Sequence, residues 1–66
     1  MRKLCIGARV MVIGDNFWHD FMGTFVDVVY NDDLDRYLFM VKLDDADIIS
    51  VENPLNLHVL KTSIIE

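Results

Sequence analysis

His19 and Asp20 are neighbours, and an imidazole beside a carboxylate is the pairing on which general acid–base catalysis relies. The other residues with chemical potential are Cys5, the only thiol, and two aspartate groups, Asp32, Asp33 and Asp35, then Asp44, Asp45 and Asp47. Each has a plainer reading. Neighbouring residues in a strand or loop often point apart, and His58 stands far along the chain with no nucleophile beside it. A lone cysteine near a terminus commonly serves as a small apolar side chain. Neither aspartate group has the spaced D-x-D-x-D-G pattern with a distal glutamate that a calcium loop needs, whereas aspartate suits turns because its carboxylate bonds nearby backbone. Phosphate-loop and metal-ligand spacings are also missing from the sequence, so the expectation is a non-enzymatic chain with no catalytic residues, metal or cofactor.

Binding is better represented than catalysis. The run Phe17-Trp18-His19-Asp20-Phe21 places three large aromatics in a short stretch, and such residues on a loop anchor an apolar or proline-rich segment of a protein partner. Phe17, Trp18 and Phe21 are therefore the candidate partner-binding residues, with Tyr30 and Tyr37 as secondary candidates flanking a hairpin turn. Two structural alternatives stand beside this reading. Phe17 and Phe21 could fold back to cap an open barrel while Trp18 shields its rim, and the tyrosines could form a cross-strand pair.

The elements that must position these residues are short strands. Ala8, Val10 and Val12 alternate with Arg9, Met11 and Ile13, a period of two that suits a strand with one buried side. Gly14-Asp15-Asn16 is turn chemistry, and the stretch to Met22 shows no periodicity and reads as a long loop. Residues Thr24 to Tyr30 are rich in β-branched and aromatic types, and Asn31 to Asp35 turns them into a strand from Arg36 to Leu43. A second turn, Asp44 to Asp47, leads to Ile48 through Glu52; Asn53-Pro54 then stops the chain, leaving Leu55-Asn56 to complete one tight helical turn before Leu57 to Leu60. The expected fold is all-β: a five-stranded SH3-like, partly open barrel with a single 3-10 turn before the last strand, forming one domain over residues 1–66.

Composition sets the outer limits. A chain of 66 residues buries only about 60% of its unfolded surface, so its core must be dense. With 53% apolar and 26% charged residues it lies far from the signature of disorder. Apolar runs such as Leu38 to Val41 are far shorter than the roughly 20 residues needed to span a bilayer, so no membrane insertion is expected. Arg9 and Asp15 interrupt what otherwise begins like a signal peptide, so the amino terminus reads as mature protein. One cysteine excludes an internal disulfide and a cysteine zinc site, which suits a reducing, cytoplasmic setting. Without such staples, self-association through exposed strand edges is a further way to gain stability.

The run Gly7-x-Arg9-Val10-x-Val12, followed by Gly23-Thr24-x-Val26-x-x-Val29, resembles the KOW motif of SH3-like domains in ribosomal and transcription-elongation proteins. Tyr37, Val41-Lys42-Leu43-Asp44 and Asn56-Leu57-His58-Val59-Leu60 are similar to the small peripheral photosystem I subunit usually called subunit IV, and Trp18 followed by Gly23-Thr24 fits that family too. Both resemblances imply the same barrel. The first implies contact with RNA through a loop carrying glycine and lysine, and the second implies basic residues offered to an acidic electron carrier. Here the loop holds Asn16 and Asp20, no lysine lies between Lys3 and Lys42, and the corresponding half offers Asp15, Asp20 and Asp27.

Charge chooses among the partners. Eleven acidic against six basic residues give a net charge of -5, a field that repels phosphate backbones. The basic residues Arg2, Lys3, Arg9, Arg36, Lys42 and Lys61 are scattered. The reading that results is a protein-interaction module, an accessory or regulatory subunit of a larger assembly with a basic protein partner. A KOW-like nucleic-acid contact stands second and a homo-oligomer third.

Overall fold

A computed structural model describes residues 4–15 and 17–61 of the chain, Lys61 by its backbone alone. Arg2, Lys3 and Asn16, considered above, lie outside the described residues. Five strands form one antiparallel sheet: β1 (Arg9–Val12), β2 (Met22–Asn31), β3 (Arg36–Leu43), β4 (Ile48–Val51) and β5 (Leu57–Lys61). A single 3-10 turn, Pro54–Asn56, precedes β5. The strand order is β4-β3-β2-β1-β5, so β4 and β5 are edges and the sheet is not closed. This is the all-β, partly open architecture that the strand pattern predicts.

Alternation explains which side is buried. Ala8, Val10, Val12, Val41 and Leu43 are fully enclosed and Phe25, Val51 and Leu57 are buried with them, while Arg9 and Met11 project from the other face of β1. Gly23 of β2 lies tight against β3. A Cβ there would stand 2.4 Å from the Lys42 carbonyl oxygen and 2.9 Å from Val41 Cγ1, so no larger residue fits without displacing backbone.

The β2–β3 ladder is regular on either side of one irregularity. Phe25 pairs with Val41 and Asp27 with Met40, leaving Val26 as an extra residue. Beyond this bulge Val28 pairs with Phe39 and Tyr30 with Tyr37, on the same side of the sheet as the core. A continuous register would have set Asp27 opposite Phe39 instead, turning a carboxylate toward the core.

The 3-10 turn is held at both ends. The Asn53 side chain accepts from the Leu55 amide at 3.0 Å, capping it, and the Asn56 carbonyl accepts from the Ile13 amide at 2.7 Å. Gly14 sits beside Asn56 with φ +86°, and a Cβ on it would meet Asn56 Oδ1 at 2.7 Å. The turn thereby fixes where the long β1–β2 loop begins.

Candidate interaction surface around Trp18

The β1–β2 loop is tied off at its base. Val12 donates its amide to the Phe21 carbonyl at 2.9 Å and accepts the Asp20 amide at 2.7 Å, prolonging the pairing of β1 with β2. Within the loop the Phe21 amide donates to the Trp18 carbonyl at 3.0 Å, closing a tight turn whose third residue, Asp20, has φ +72°. Aspartate tolerates that left-handed geometry better than most residues.

This turn gathers the three loop aromatics. Trp18 meets Phe17 at a centroid distance of 4.6 Å and Phe21 at 5.4 Å, edge-to-face in both cases with interplanar angles of 87°. Trp18 is half-buried and packs against the core, whereas Phe17 is 82% exposed and Phe21 43%. The roles are thus the reverse of the capping alternative: the indole packs on the core, and the phenylalanines stand against it, more exposed.

Beside the stack lies a concavity of about 240 Å³ lined by Asp20, Phe21, Met22, Asp44 and Asp45. The Asp44 amide donates to the Met22 carbonyl at 3.0 Å, which brings the β3–β4 turn against the start of β2. Two aspartates from a distant turn therefore join the aromatic loop. Nothing in the linear spacing of Asp44 and Asp45 signals this, because it depends on the register that sets Gly23 opposite Leu43.

Asp44 is partly neutralised. The two terminal guanidinium nitrogens of Arg9 donate to its two oxygens, at 2.8 and 2.6 Å, and Arg9 Nη1 also donates to Thr24 Oγ1 at 3.0 Å. The Arg9 hydrogen bonds hold the Asp44 carboxyl below its ordinary pKa, and the same bonds raise that of Arg9. Arg36 pairs with Glu52 at 2.7 Å, and Lys42 Nζ donates to the carbonyls of Leu43 and Ala46 at 2.8 and 2.7 Å. Every lysine and arginine side chain among the described residues is therefore engaged inside the molecule, while Asp20 and Asp45 face solvent.

The tyrosines belong elsewhere. Tyr30 and Tyr37 are cross-strand partners with centroids 5.1 Å apart, and the Tyr30 hydroxyl donates to Asp35 Oδ1. They sit near the far end of β2, roughly 25 Å from Met22 at ordinary strand rise. The structure brings Phe17, Trp18 and Phe21 together and separates them from Tyr30 and Tyr37.

The residues considered for catalysis are spread out. His19 Nδ1 lies 3.4 Å from Asp20 Oδ2, both side chains exposed, so these neighbours do meet. Cys5 is a half-buried thiol, and His58 projects from β5 opposite Met11. Among the described residues no three His, Cys, Asp or Glu side chains are grouped to hold a metal ion, and no helix is long and apolar enough to cross a membrane. A larger groove, about 540 Å³, runs along β5 and the 3-10 turn, with His58 as its sole ionisable side chain. The smaller concavity is the better site candidate, since it adjoins exposed aromatics and carries charge. Comparison with protein-family models, with curated proteins and with solved structures returned no match.

Proposed function

We propose that this domain is a non-enzymatic interaction module, an accessory or regulatory subunit that docks a basic protein partner on the Phe17–Trp18–Phe21 surface. The observation that carries the reading is the posture of Phe17, a large aromatic left 82% exposed yet held edge-on by an indole seated on the core. An aromatic ring has only two side-chain torsions to order on binding, and exposed aromatic anchors dominate interface energetics. Charge supplies the partner's sign. The net charge of -5 and the solvent-facing Asp20 and Asp45 attract a cationic surface, chiefly by accelerating encounter. The internal engagement of Arg9, Arg36 and Lys42 leaves the nucleic-acid reading with less behind it. Cys5, a free thiol, fits work in a reducing, cytoplasmic compartment.

Phe17 is the residue to test, because substitution of Trp18 would disturb the core as well. Affinity capture from the native host, quantified by mass spectrometry, should recover a basic protein with the wild-type domain and lose it with Phe17→Ser. Retention of the same partner by Phe17→Ser, with circular dichroism unchanged, rules out the aromatic surface.

A further inference from the structure

The β2–β3 hairpin outruns the rest of the sheet. β4 pairs with β3 only from Phe39 to Lys42, and β1 pairs with β2 only from Met22 to Thr24, so residues 27–38 form a two-stranded ribbon. Such a ribbon is marginal in water unless a face is covered. One face carries Val28, Tyr30 and Tyr37, at 40%, 45% and 58% exposure, and continues the core face beyond Phe39 and Val51. Exposed apolar area of this continuity marks an interaction surface.

The charges around this face say what covers it. Asp32, Asp33 and Asp35 crowd the turn at its end. The one basic side chain on the ribbon, Arg36, is held by Glu52. A second copy of the chain would bring an equal set of carboxylates against these, whereas a cationic partner would neutralise them. Asp35 is occupied by the Tyr30 hydroxyl, which leaves Asp32 and Asp33 facing solvent at the tip.

We propose that the Val28–Tyr30–Tyr37 face docks an extended apolar segment ending in lysine or arginine, its cation meeting Asp32 and Asp33. This surface lies at the opposite end of β2 from Phe17 and stands independently of it.

The test uses three synthetic peptides on the full chain, read by amide chemical-shift perturbation: acetyl-Val-Leu-Val-Arg-Arg-amide, the same peptide ending in Glu-Glu, and acetyl-Ser-Gly-Ser-Arg-Arg-amide. The first should move cross-peaks of residues 27–37, and each control should bind at least about tenfold more weakly, a difference of one decade in Kd. Tyr37→Ser and the double variant Asp32→Asn/Asp33→Asn should each weaken the first peptide by a similar factor; the double variant changes only exposed turn residues, so its fold is retained. Absence of shifts at millimolar peptide, equal binding of the Glu-Glu peptide, or shifts centred on residues 17–22 overturns the proposal. So does sedimentation showing a dimer without peptide that Tyr37→Ser converts to monomer, since the face would then belong to a second copy.

Discussion

Arg9 and Asp44 are joined across β2 by a two-pronged ion pair, at 2.8 and 2.6 Å, that fastens the first strand to the turn after the third. The bonds from Arg9 depress the Asp44 carboxyl, so the folded state holds its proton more weakly than the unfolded chain does. The stability this pair adds is therefore present above the ordinary carboxylate value of 3.8 and is lost as pH falls through the depressed folded value. Arg9→Met should lower Tm at neutral pH, and the gap from wild type should close in acid. A gap that persists unchanged below pH 3.8 would mean that Arg9 acts through packing alone.

Tyr30 titrates in the other direction. Its hydroxyl donates to Asp35, and this bond, with a smaller contribution from desolvation, raises its pKa above the ordinary 10.0. The folded state favours the neutral phenol, so the contribution is complete below 10.0 and disappears as pH rises through the elevated value. Ultraviolet absorbance titration should show a late-ionising phenol, which Asp35→Gly should return toward 10.0. Glycine is the suitable replacement because residue 35 has φ +53°. Superimposable titrations of variant and wild type would refute the assignment.

Gly23→Ala should destabilise the domain by about 1–3 kcal/mol in denaturant titration, through overpacking. The added methyl would press on the Lys42 carbonyl and the Leu43 Cα, which are ladder backbone and cannot rotate away. A neutral substitution here would show that β2 and β3 separate more readily than their register implies.

Trp18 and Phe17 should part company in stability measurements. Trp18→Ala removes a ring seated on the core and should cost about 1–3 kcal/mol, while Phe17→Ala should stay within about 0.5 kcal/mol of wild type. Equal losses, judged by denaturant midpoint, would make Phe17 structural and weaken its candidacy as an anchor.

Much of the fold was legible because its signals are local. The alternation of Ala8, Val10 and Val12, the turn chemistry of Asn31 to Asp35, and the stop at Asn53-Pro54 each act within a few residues. The candidate surface was legible only as a set of aromatic types. Which ring goes inward depends on the turn closed between Trp18 and Phe21, and on Val12 gripping both Asp20 and Phe21, and loop sequence carries no periodicity from which to read either. Asp44 and Asp45 were hidden more deeply, since their place beside Phe21 follows from the pairing of distant strands. The bulge at Val26 was not legible because Val26, Val28 and Val29 are all apolar, so nothing local marks which residue is the extra one.

That extra valine separates two properties of the ribbon. Because Val26 and Asp27 share the space opposite Met40, deleting Val26 would leave Val28 and Tyr30 on the same face, and would remove the bend and added twist that a bulge imposes. A one-residue deletion would therefore re-aim the ribbon as it leaves the body while the side chains its face presents stay the same.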